Sequence, residues 1–108
     1  MQIVNLSNLE AMTDGDKEFM QDMIDTYLHT VPEMISDLLN ASKQNDLETA
    51  KSRAHKLKSS MGLMGMHSTL EVLDKIELSV LQKEKTESIP DWVTIVVKDF
   101  EKSVEDLS

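Results

Sequence analysis

Residues 46–66 read DLETAKSRAHKLKSSMGLMGM. Ala50, Ala54, Leu57, Met61 and Met64 recur there at steps of three and four, the period of an α-helix with one apolar stripe. Asp46 stands where a side-chain oxygen can cap the first turn, and Gly65 suits the left-handed position just past a helix end. The spacing predicts a helix over about 47–64. On its wheel His55 falls roughly 140° from the centre of the stripe and projects into water. Lys51, Ser52, Lys58, Ser59, Gly62 and Met66 fall within roughly 60° of His55 and share that face.

Gly62 on this face is unexpected, because glycine inside a helix costs about 1 kcal/mol relative to alanine. Core packing cannot account for a missing side chain opposite the core, so the gap points to something approaching the backbone beside His55. Charge agrees. Residues 49–70 contain Lys51, Arg53, Lys56 and Lys58 but no Asp or Glu, in a chain whose net charge is −9. A basic window in an acidic protein suits an anion or an acidic partner.

Working outward, Ser7 with Glu10 reads as a capping box opening a short helix to about residue 12, broken by Thr13-Asp14-Gly15. A long amphipathic stretch over about 16–42 carries Phe19, Met20, Met23, Ile24, Tyr27, Val31, Ile35, Leu38 and Leu39 at helical spacing. Pro32 lies inside it and is expected to kink the helix or split it near Thr30. Ser68 with Glu71 reads as a second capping box, opening a helix to about residue 83 with Leu70, Leu73, Ile76, Val80 and Leu81 as its stripe. Ser88-Ile89-Pro90-Asp91 starts a last helix, with proline in its first turn. Four amphipathic helices joined by short connections, plus a short N-terminal helix, predict an all-α fold: an antiparallel up-down four-helix bundle in one domain over 1–108.

Bulk properties narrow the function. With no cysteine there is no disulfide and no thiolate metal site, and a reducing cytoplasm is the expected setting. The acidic balance argues against nucleic acid and anionic membrane as partners. No apolar run is long enough to span a bilayer. Convergence of His29, His55 and His67 on a metal lacks any ligand spacing, and the methionines at 20, 23, 34, 61 and 64 follow helical stripes, as core filler does.

The run His55-Lys56-Leu57-Lys58-Ser59-Ser60-Met61-Gly62-Leu63-Met64-Gly65 resembles the signature of histidine-containing phosphotransfer (HPt) domains. That pattern is histidine, any residue, an aliphatic, lysine, a small pair, then glycines seven and ten residues after the histidine. Asp16 and Phe19 opening the long helix, Ala54 before the histidine and STLEVLDKIE after it extend the resemblance over most of the chain. Ser59 stands where the family usually has glycine.

The resemblance implies a phosphorelay carrier rather than an enzyme. His55 would take a phosphoryl group from the aspartate of a receiver domain and pass it to another receiver. Neutral imidazole suits this role, with an ordinary pKa of about 6.5. Lys58, one turn on, would neutralise phosphate oxygens, while Lys51, Ser52, Lys56, Ser59, Gly62 and Met66 would meet the partner. No intrinsic cofactor is expected, and Mg²⁺ would come from the receiver. An upstream hybrid sensor histidine kinase would be the other partner, and the chain would work in the cytoplasm, free or as part of a membrane-anchored hybrid kinase.

Three other readings compete. A histidine-kinase dimerisation helix usually carries an acid after its histidine, where this chain has Lys56. A hydrolase pairing Ser59 with His55 lacks an acid nearby in sequence to orient the ring. A helical adaptor that binds without being phosphorylated is the main alternative.

Overall fold

The computed structural model describes residues 2–107; Met1 and Ser108, the two ends of the expected domain, lie outside the described residues. Five α-helices follow in order: α1 Ser7–Met12, α2 Lys17–Lys43, α3 Leu47–Leu63, α4 His67–Gln82 and α5 Ile89–Leu107, with a 3₁₀ turn at Thr86–Ser88 before α5. Among the described residues there is no strand.

The helix starts show which sequence signals act. Asp16 caps α2, its carboxylate accepting from the backbone N–H groups of Glu18 and Phe19 at 3.1 and 3.2 Å. Asp46 caps α3 by accepting from the N–H and the hydroxyl of Thr49. The two expected capping boxes do not form. Asn5 rather than Ser7 serves the start of α1, its side-chain oxygen accepting from the Ser7 N–H at 3.0 Å. The residue before α4 is Met66, which has no side-chain cap to offer. The link from α3 to α4 is only Met64-Gly65-Met66, too short for a separate capping turn.

The split expected at Pro32 is absent, because α2 runs unbroken through it. Pro32 is exposed, while Val31, Ile35 and Leu38 around it are buried. The missing N–H therefore lies on the wet side, where water can serve the orphaned carbonyl, and core packing holds the helix across it.

The four long helices form a ring in which α2 packs on α3 and α5, and α4 packs on the same two. This is the expected bundle, about 43 Å long. Ile24, Val31, Leu38, Leu57, Met61, Leu73, Ile76, Val93 and Val96 are among the side chains that fill its centre. Full burial of such a side chain stabilises the fold by about 1.5–3 kcal/mol.

The end of the bundle near the α3–α4 link is tied most tightly. The Asn5 N–H donates to the Met64 carbonyl at 2.9 Å, and the Ile3 and Val4 N–H groups donate to Asp106 of α5. Tyr27 of α2 is buried there with its hydroxyl 2.7 Å from that of Ser103 on α5, and Ser103 donates its own proton to the Phe100 carbonyl. Burial pushes the Tyr27 phenol up to about 12, against a smaller downward pull from Ser103. Among the described residues no helix is long and apolar enough to cross a membrane.

Candidate functional site

α3 buries Ala50, Ala54, Leu57 and Met61 and turns His55 outward, with 72 % of its side chain exposed. The ring is not free. Its Nδ1 lies 3.0 Å from Oε1 of Glu77, which reaches across from α4 with only 19 % of its side chain exposed. One α3 turn on, Lys58 donates to Asp74 at 2.9 Å and to the Glu77 carboxylate at 3.3 Å. Glu77 thus joins histidine and lysine, and Asp74 holds the lysine from the far side. The Lys58 ammonium is raised above its ordinary value, first by the hydrogen bond to Asp74 and then by Glu77, against the downward pull of burial.

A proton on Nδ1 satisfies the Glu77 carboxylate and leaves the lone pair of the neutral ring on the outward-facing Nε2. The site therefore offers an exposed nitrogen nucleophile, oriented from behind, with an ammonium one turn away.

Around it, Lys51, Ser52, Lys56, Leu78 and Leu81 join His55 and Glu77 in lining an open groove of about 340 Å³ between α3 and α4. Lys56 and Ser59 are exposed, while Lys51, Ser52 and Gly62 are half-buried. Leu81, expected in the apolar stripe of α4, is instead 67 % exposed, and Leu78 beside it is also exposed.

Met66 is a correction. A single helical wheel put it on the His55 face, but α3 ends at Leu63 and Gly65 turns the chain with φ +66°. Met66 is fully buried, its sulfur 3.5 Å from the Tyr27 hydroxyl, and no partner can reach it. Gly62, expected on an exposed face, is half-buried. A Cβ there would meet only Leu70 Cδ1 at 3.9 Å, an ordinary contact, so nothing in the fold demands glycine.

The basic window is also corrected. Arg53 pairs with Asp37 of α2, Lys51 with Glu48, and Lys58 with the two α4 acids. Of the four bases, Lys56 alone makes no ion pair among the described residues. What looked like a positive face in sequence is a mixed one in space.

Glu77 and Asp74 are the functional candidates that sequence reasoning missed, having sought an acid only near His55 in the chain. A signal was there. With so short a link, α3 and α4 fold back about Met66. His55 and Glu77 each stand eleven residues from it, and Lys58 and Asp74 eight. His29 and His67 are exposed on α2 and at the start of α4, and among the described residues no three His, Asp or Glu side chains are placed to hold a metal ion.

The chain is similar to known proteins. The family model described as the Hpt domain matches residues 22–108. The phosphorelay intermediate protein rdeA of Dictyostelium discoideum is 34% identical over 65 residues, covering 60% of this chain and 26% of that protein. The chain thus matches about a quarter of the length of that relative. No solved structure matches.

Proposed function

The chain belongs to the Hpt domain family, whose chemistry is histidine phosphotransfer in phosphorelays, and from that premise we propose that His55 is the phosphoryl carrier. The observation that carries the assignment is the hydrogen bond from Nδ1 to Glu77, which leaves an exposed Nε2 with a free lone pair. Nε2 attacks the phosphorus of a receiver's phosphoaspartate. The N–P bond forms, the P–O bond breaks, and the aspartate leaves as a carboxylate. The ring keeps its Nδ1 proton and becomes a phosphorylated imidazolium. In the onward step a second receiver's carboxylate oxygen attacks phosphorus, and the N–P electron pair returns to Nε2. Each step conserves protons on this chain.

Phosphoryl transfer asks for in-line positioning and charge neutralisation more than for covalent machinery. Lys58, turning from its carboxylates, supplies a cation to the phosphoryl oxygens. Mg²⁺ is assigned to the receiver's own acidic pocket, because the carboxylates beside His55 are already engaged by Lys58 and the ring. Lys51, Ser52, Lys56, Ser59 and Gly62 form the docking face; Met66 does not belong to it. An upstream hybrid sensor histidine kinase and a cytoplasmic setting complete the proposal.

The test is incubation with a phosphorylated receiver. Label should appear on this chain, be lost in acid, survive in base, and be absent from His55→Gln. Acid-stable label, or label persisting in His55→Gln, would contradict the assignment. Binding with no transfer at all would leave an adaptor bundle in its place.

A further inference from the structure

The resting position of Lys58 conflicts with the task given to it. An ammonium has three N–H donors, and carboxylates of α4 occupy two of them. Asp74 is the nearer acceptor, stands one turn from Glu77 on the same face of α4, and is 56 % exposed. Glu77 has a second duty toward the ring, whereas Asp74 bonds to Lys58.

We propose that Asp74 is a positioning residue that holds Lys58 back from His55 and competes with the phosphoryl group for it, so that the phosphorylated site gives up its cargo more readily. This rests on the role proposed for His55 and adds the residue that sets the energy of its phosphorylated state. When phosphate oxygens draw Lys58 over, the Asp74 carboxylate loses its cation and faces a second anion. Both effects raise the phosphorylated state relative to the free one. By linkage, the factor by which the Asp74–Lys58 pair disfavours the phosphorylated state is the factor by which phosphorylation weakens that pair.

The pair is partly exposed, so the effect is modest but measurable. The experiment equilibrates the protein with phosphoimidazole and imidazole. His55 Nε2 forms an N–P bond, the N–P bond of phosphoimidazole breaks, and imidazole leaves with the electron pair. Like bonds are exchanged, so the equilibrium constant reports the surroundings of the phosphoryl group. Asp74→Asn removes the charge and keeps the shape, and the constant should rise about threefold. The gain should shrink in a Lys58→Ala background, because there is then no cation to compete for.

A second readout needs no phosphoryl group. The Lys58 ammonium, held up chiefly by Asp74, should titrate lower in Asp74→Asn than in the wild-type protein. An unchanged equilibrium constant, an unchanged Lys58 titration, or an equal gain with and without Lys58 would each overturn the proposal. Should wild-type His55 take no phosphoryl group, the proposed function fails, and the Lys58 titration still decides what holds the lysine.

Discussion

A Cβ placed on Gly65 would lie 2.1 Å from the carbonyl oxygen of Asn5, on a backbone already at φ +66°. One placed on Gly62, a single turn earlier, would touch only the end of Leu70 at 3.9 Å. The two glycines of one motif thus belong to two regions with different work. Around Gly65, the link, the N-terminal segment, Tyr27, Ser103 and Met66 are buried or bonded to one another. Around His55, the α3–α4 seam is open to water and mixes charged side chains with the exposed Leu78 and Leu81, and Gly62 is half-buried two turns along the same helix. A motif residue can therefore be required by the fold or by what the fold presents, and spacing alone does not say which.

The comparison can be broken most easily at the buried end. Gly65→Ala should destabilise the protein by about 2–4 kcal/mol, combining left-handed strain with a backbone collision. Denaturant melts check this, and a loss within experimental error would mean the link has room to move. Tyr27 gives the next largest effect. Its phenol stays protonated in the fold up to about 12, while the unfolded chain ionises it near 10.0. The stabilisation is therefore full below pH 10 and lost as pH rises through 12, amounting to about 2–3 kcal/mol. Tyr27 is the chain's one tyrosine, so phenolate absorbance and stability can be followed together, and Tyr27→Phe should flatten the alkaline loss.

At the open seam, losses should appear in transfer rather than in melting. Lys58→Ala should slow phosphoryl transfer about tenfold, a barrier increase of about 1.4 kcal/mol, as read by the initial rate of label transfer. Gly62→Ala should raise stability by up to about 1 kcal/mol, since alanine is the better helix former and its Cβ has space. Gly62→Leu should fold yet transfer poorly. If it melts early instead, Gly62 is needed for packing, and the contrast with Gly65 collapses.

The same contrast explains what could be read in advance. Apolar periodicity located all four long helices, because each buries a continuous stripe such as Ala50, Ala54, Leu57 and Met61. Asp46 was visible as a cap because the cap is a local contact, whereas Asp16 was read only as opening the long helix and the structure adds its capping bonds. Ser7 and Ser68 looked alike in sequence and failed, because Asn5 and the short link settled those helix starts instead. Pro32 was misjudged because its cost depends on which side of the helix meets water. The shared helix face of His55 and Lys58 was legible from their spacing, and the roles proposed for them came from the resemblance to the HPt signature. Their carboxylate partners were not legible, because Glu77 and Asp74 arrive only when α4 folds back along α3. Met66 was misplaced for the complementary reason, since a wheel drawn past a left-handed glycine no longer describes one helix.

The central claim concerns one nitrogen atom. Protein with ¹⁵N-labelled histidine, phosphorylated by a small donor such as phosphoramidate and studied by ¹⁵N and ³¹P NMR, reports which ring nitrogen is bonded to phosphorus. The account predicts a single N–P bond at Nε2 of His55, with the proton retained on Nδ1 beside Glu77. A phosphoryl group on Nδ1 of His55, or on His29 or His67, would contradict it.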